Sequence, residues 1–415
     1  MPFSPRTNPL NININLIGQT GKSPNTYTTG DIIEGNATIT ATNETYFDGV
    51  EIVFEGISQS HDSRVAAIPN PVEARHDFLQ MFHPIDDAQY PSPRSFKPGR
   101  KYQFGFAFIV PTRLPNICSH RLDNPHLKHA HTLLPPSLGD PMLTNGGRAL
   151  LDDMSSELCR IAYRIRVSIL ASSHVHDNGI LKSTAKKVRI MPAIDEEPPL
   201  TTPDSGKDHT TQDTKDIRVG LTRKKQGTLS ITTSQPSPLQ LHPPSEAPNP
   251  TTTTATINLR FDPIGNNEQP PKLSAVESKI RVSTFYATTP WPDFPSSSHA
   301  DSLSRLYYTK VLPLSSLCVT STRWKRCVGE GFYTASIVVP ITLPESKAFV
   351  PTFHSCLISR VYALDLCVFC QTPDVTLSSP CLSLRIPVQV TLLSRMLDNP
   401  PLYDEAAMCE KERFV

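Results

Sequence analysis

The chain has 415 residues, a length that accommodates two or three domains with sizeable cores. Its 41 prolines are about 10% of the residues, roughly twice ordinary usage, which argues against long continuous helices. Lys plus Arg number 40 against 39 Asp plus Glu, a formal charge of +1 that excludes a net field drawing in nucleic acid or an anionic membrane.

The first element sets the class. Leu10, Ile12, Ile14 and Leu16 alternate with polar residues, which puts every apolar side chain on one face of a strand and would scatter them around a helix. The same period of two recurs at Val50/Ile52/Phe54, Phe104/Phe106/Phe108/Val110, Ile161/Tyr163/Ile165/Val167 and Val188/Ile190. Short strands divided by Pro-rich turns predict an all-β chain built as a β-sandwich.

From Asp195 to Thr214 acids, Ser/Thr and prolines replace the aliphatic residues, and this stretch is expected to be an acidic linker. Strands are predicted to resume at Ile217/Val219/Leu221, Leu229/Ile231, Ile257/Leu259/Phe261 and Ile280/Val282, with a loop over Pro236 to Thr254. Further strands are predicted at Tyr333/Ala335/Ile337/Val339, Tyr362/Leu364/Leu366 and Leu384/Ile386/Val388/Val390. The expected organisation is therefore one sandwich over 10–194, a linker over 195–214, a second sandwich over 215–395 and a flexible tail over 396–415.

A weak internal repeat supports two units. Val110-Pro-Thr-Arg-Leu114-Pro, followed by Leu134-Pro-Pro-Ser-Leu138 and the Tyr163 strand, parallels Val339-Pro-Ile-Thr-Leu343-Pro, Val350-Pro-Thr-Phe353 and the Tyr362 strand. Proline lacks the donor that continues a ladder, so it ends a strand sensibly.

These segments resemble a family. Tyr27-Thr-Thr-Gly30-Asp-Ile-Ile-Glu-Gly35 is similar to the opening of the arrestin-like proteins of the α-arrestin branch, in particular fungal members, with Thr29 where the family has proline. Val50 to Gly56, Tyr102 to Pro115, Leu133 to Asp140, Ile161 to Val167 and Pro351-Thr-Phe353-His-Ser-Cys356-Leu-Ile-Ser-Arg360-Val-Tyr362 follow in the family's order and cover most of 10–395. The resemblance implies two arrestin-like, immunoglobulin-type sandwiches acting as a non-enzymatic adaptor for membrane-protein cargo. Neither the buried interdomain charged cluster of visual and β-arrestins nor a basic pair beside the first strand is identifiable. Phosphate-triggered activation is therefore not implied.

The tail reads Asp398-Asn-Pro400-Pro401-Leu402-Tyr403-Asp404-Glu405, which contains the Pro-Pro-x-Tyr pattern of WW-domain ligands. Two adjacent prolines pre-set the polyproline conformation, so little entropy is lost when they stack in an aromatic groove. Leu402 spaces Tyr403 for a neighbouring pocket that buries the ring and reaches its hydroxyl. In α-arrestins this motif recruits WW domains of HECT-type ubiquitin ligases, a role the resemblance implies for Pro400, Pro401 and Tyr403. The expected outcome is ubiquitination and endocytic sorting of plasma-membrane or endosomal cargo, with no nucleic acid and no cofactor. The alternative readings are an arrestin-fold trafficking scaffold without ligase recruitment and an unrecognised β-sandwich enzyme.

Arg160, Arg164 and Arg166 fall on one face of their strand, and Lys186 and Lys187 add a second basic run. Together they are a candidate docking surface for acidic cargo tails or lipid head groups, the route to peripheral membrane association, or else an ordinary solvated face. Cys118, His120, His126, His129 and His131 crowd together without a standard zinc spacing, so no metal site is expected. Gly18-Gln-Thr-Gly21-Lys22-Ser23 lacks the first glycine of a phosphate-binding loop. Apolar stretches fall far short of the roughly 18 residues of a spanning helix, and the opening residues show no secretory signal. A cytoplasmic location is expected, and with it nine reduced cysteines.

Overall fold

A computed structural model describes residues 10–18, 26–62, 73–114, 122, 124–141, 151–171, 179–194, 209–219, 224–242, 250–265, 267–300, 304–327, 329–371 and 381–392. The chain begins with β1 (Leu10–Leu16), β2 (Thr26–Tyr27), β3 (Ile32–Ala41), β4 (Thr45–Tyr46), β5 (Gly49–His61) and β6 (Glu73–His83). It continues through β7 (Ser95–Phe96), β8 (Lys101–Ile109), α1 (Pro125–Ala130), β9 (Cys159–Leu170) and β10 (Ile180–Ile190). Next come β11 (Gln212–Val219), β12 (Lys224–Thr233), β13 (Leu239–Leu241), β14 (Thr252–Pro263), β15 (Leu273–Ala287) and β16 (Arg305–Cys318). It closes with β17 (Lys325–Arg326), β18 (Tyr333–Thr342), β19 (Phe353–His354), β20 (Ile358–Cys370), β21 (Cys381–Val388) and β22 (Val390–Leu392).

The fold is all-β, as the alternation predicts. Strand β1 buries every second residue and pairs antiparallel with β3, which pairs with β8. The facing sheet runs β2-β10-β9-β5-β6. One hydrophobic cluster is drawn from both sheets, with Ile33, Phe104 and Phe108 on one side and Ile52, Tyr163 and Ile165 on the other. The C-terminal half repeats the plan: β11-β12-β14-β18-β17 faces β16-β15-β20-β19, β21 adding to β20. A second cluster forms between them from residues such as Ile257, Phe261, Val282 and Leu364.

Two glycines of the opening motif have identifiable reasons. Gly30 has φ +85° and its N–H donates to the Val110 carbonyl, while the Asp31 carboxylate accepts from the Thr28 N–H at 2.8 Å, closing a tight turn that only glycine enters freely. A side chain at Gly35 would collide with the Phe106 ring and the Asn15 carbonyl.

Several expectations are corrected. Strand β13 lies inside the loop expected over Pro236 to Thr254, and β14 begins before that loop was expected to end. Strand β11 starts at Gln212, inside the expected linker. Polar residues pair there because the Asp213 carboxylate takes the Ser383 N–H at 2.8 Å and Thr210 bridges to Arg385. The cysteines are not all reduced: Cys367 is bonded to Cys381, since β20 and β21 pair and hold their Cα atoms 6.3 Å apart. Cys356 is also disulfide-bonded, whereas Cys159, Cys318, Cys327 and Cys370 are free thiols. No helix among the described residues is long and apolar enough to cross a membrane.

Candidate functional site

Pro400, Pro401 and Tyr403 lie outside the described residues. The five basic residues named on β9 and β10 are described, and each has an internal partner. Arg164 and Arg166 both reach the buried Glu55 on β5, at 2.7 and 2.6 Å, and Arg166 also donates to Ser168 and lies 3.4 Å from Glu51. Arg160 donates to the Gln59 side chain, Lys186 to the Ile14 carbonyl and Lys187 to the Asp140 carboxylate. The strand register explains this, because Glu55 stands directly opposite Arg164 and Gln59 opposite Arg160. Much of the positive charge is thus answered within the sheet.

The two cores meet through chemistry that local sequence patterns did not reveal. Met154, from the N-terminal half, is buried in the second cluster, while Tyr286, Phe353, Cys356 and Leu392 from the C-terminal half join the first. Arg360 on β20 is fully buried. Its guanidinium donates to Thr284 Oγ1, to the Asp153 carbonyl at 2.9 Å and to the Met154 carbonyl at 3.3 Å. Carbonyl acceptors satisfy a buried cation at lower desolvation cost than leaving it unpaired.

The segment so gripped is bent. Met154 has φ +59°, an uncommon conformation for a residue with a side chain, and its N–H donates to the Asp152 carboxylate at 2.8 Å. Lys310 and Lys347, both from the C-terminal half, lie 2.9 Å from Asp152 Oδ2. Hydrogen bonds from Lys310 and then Lys347 hold the Asp152 carboxyl well below the usual carboxylate range, and Asp152 in turn raises the Lys310 ammonium. A charged latch therefore joins the halves, although none was identifiable in the sequence.

Two buried histidines, one from each half, are a further feature of the described residues. Asn124 caps α1 by accepting from the N–H groups of His126 and Leu127, and Pro125 starts the helix. His126 and His129 face solvent, His131 at the helix end is buried, and Cys118 and His120 lie outside the described residues. His131 Nδ1 is 3.7 Å from the Cys356 sulfur. His354 on β19 is buried too; burial, and then the neighbouring His131, push its pKa down to about 3. A cavity of about 20 Å³ between α1 and the C-terminal half is lined by Ala130, Leu134, Ile194, Thr352, His354 and Gln389, among others.

Sequence reading missed Glu55, Arg360 and the approach of His354 and Cys356 to His131. The signal available was Phe353-His-Ser-Cys356, noted only for its resemblance. The sequence matches no protein-family model and none of the curated proteins with which it was compared.

Proposed function

We propose that the chain is a non-enzymatic adaptor of the α-arrestin type, working at the cytoplasmic side of plasma or endosomal membranes. Its sandwiches bind a membrane-protein cargo, and Pro400-Pro401-Leu402-Tyr403 recruits a WW-domain HECT ubiquitin ligase. The observation that carries this reading is the Pro-Pro-x-Tyr motif at Pro400-Pro401-Leu402-Tyr403, which follows β22 in the sequence. The facing antiparallel sheets support the rest of it. Tethering raises the effective concentration of ligase near cargo lysines, so recognition is converted into ubiquitination without any cofactor.

Ubiquitin transfer tests the proposal. A HECT ligase carrying its WW domains, supplied with ubiquitin and the activating and conjugating enzymes, should modify the full chain and leave Tyr403→Ala largely unmodified. Equal modification of both chains would favour a scaffold without ligase recruitment.

A further inference from the structure

One edge of the second sandwich is open beside two buried donors. Among the described residues β16 pairs with β15 alone, so its other edge carries backbone N–H and C=O groups that no strand takes up. The register sets Phe285 opposite Tyr307 and Ala287 opposite Arg305. These side chains share the outer face of the sheet, while Ile280 and Val282 of β15 point into the core. On the outer face Phe285, Ala287 and Trp291 form a small separate cluster, and Tyr307 stacks on Phe285 at 5.8 Å. Tyr307, Tyr308 and Val311 are 49%, 39% and 40% exposed, a concentration of large apolar side chains on one short stretch of edge. The far part of β16 is blunted, because Pro313 has no N–H and Ser315 donates to the Pro340 carbonyl on β18 at 3.5 Å. The stretch from Arg305 to Val311 has neither protection.

Arg305 indicates what this edge takes. Its guanidinium lies over the Trp291 ring at 5.7 Å, and its Nε is a buried donor without an acceptor. The indole Nε1 of Trp291 is a second such donor, on a side chain only 1% exposed. Two neighbouring buried donors without an acceptor are costly. A carboxylate meets a guanidinium along its edge of N–H groups and leaves the flat face on the ring. On β9 the buried Glu55 answers Arg164 and Arg166; among the described residues no acid pairs with Arg305.

We propose that β16, from Arg305 to Val311, is a docking edge for an extended acidic segment of a partner protein. The segment adds to the sheet as a further strand beyond β16, its backbone completing the ladder and its Asp or Glu side chain pairing with Arg305 beside Trp291. Apolar side chains at alternate positions cover Tyr307 and Val311. The main chain supplies affinity, and Arg305 supplies the preference for an acid. This inference does not rest on the tail motif, and either can fail without the other.

The test uses the full chain isotope-labelled at the indole nitrogens of its two tryptophans, Trp291 and Trp324, so that nuclear magnetic resonance shows one indole signal from each. Trp324→Phe assigns them. The probes are blocked peptides of about seven residues that alternate Val and Thr and carry one Glu at each inner position in turn, beside counterparts with Gln in place of Glu. At least one Glu peptide should shift the Trp291 signal saturably and leave that of Trp324 in place, its Gln counterpart binding about tenfold more weakly or worse. Arg305→Gln should bind the two forms alike. Prolines at two successive inner positions of the Glu peptide should abolish binding, because one of them must face β16 and proline has no N–H for the ladder. A Trp291 signal that no peptide moves in the wild-type chain overturns the proposal, as does equal binding of the Glu and Gln forms. Both results are read on the wild-type chain and hold whether or not Arg305→Gln folds. A Trp291 signal that shifts with protein concentration alone would overturn it too, in favour of a second copy of the chain on the same edge.

Discussion

Tyr163 and Tyr362 occupy equivalent places in the two halves, each on a central strand with its hydroxyl donating to a carbonyl of the Pro-containing segment before it. Tyr163 reaches the Pro135 carbonyl at 2.5 Å and Tyr362 the Val350 carbonyl at 2.7 Å. Burial raises both phenols above their ordinary pKa, so each remains a neutral donor at physiological pH. The internal repeat seen in sequence thus has a physical core, in which a Pro-rich segment is pinned to the sheet by one buried tyrosine.

Replacing either tyrosine with Phe keeps the ring and strands a buried carbonyl. Each variant should lose about 1–3 kcal/mol by denaturant unfolding. A change below about 0.5 kcal/mol in both would show that the hydroxyls do not pin these segments.

Glu55 is the shared acceptor of Arg164 and Arg166. Removing one partner from a buried charged network leaves the others uncompensated, so Glu55→Ala should destabilise by about 3–5 kcal/mol and Glu55→Gln by less. Thermal unfolding of the two variants checks the order. Charge reversal at Arg164 and Arg166 should likewise unfold the sheet before it reports on docking, so a cargo-binding test of that face belongs at Arg160, whose side chain is held by Gln59 and not by Glu55.

The Asp152 latch should be visible in the pH dependence of stability. Its carboxyl titrates lower in the folded chain than in the unfolded one, so its contribution is fully present above about pH 4 and is lost as the pH falls below that. Because the group is partly solvated, the effect is modest. Asp152→Asn should flatten the acid limb of the stability profile and leave the alkaline limb to other groups, apart from the lost support of Lys310. An unchanged acid limb would remove the latch from the account.

The Cys367–Cys381 bond closes a short loop between strands already paired, with a sequence separation of 14. A loop of that size is worth about 3 kcal/mol through the unfolded chain. The double variant Cys367→Ser/Cys381→Ser should therefore unfold at lower denaturant while keeping its far-ultraviolet spectrum. An unaltered midpoint would contradict the bond's contribution.

Half-buried strands were legible because one face meets a core and the other meets water: β1, β8 and β9 bury the alternate residues their sequences name. Strands β6 and β16 were not, since each lies at a sheet edge and neither keeps a strict alternation of apolar and polar residues. The parallel pairing of β13 with β22 joins residues about 150 apart, beyond any local pattern. The same reason hid the junction. His131 and Cys356 are 225 residues apart, and only the meeting of the two cores brings imidazole to sulfur. The basic residues of β9 were legible as a face, but their acidic partner on β5 was not, because cross-strand register is a tertiary property.

The central claim is that the tail motif recruits a WW domain, and the most direct measurement is a titration of the full chain into an isolated WW domain from a HECT ligase, beside the Tyr403→Ala chain. The account predicts saturable binding by the wild-type chain that is lost when the tyrosine ring is removed. Binding that is absent, or indifferent to Tyr403, would contradict it and leave a β-sandwich chain whose partner has to be sought without the tail motif.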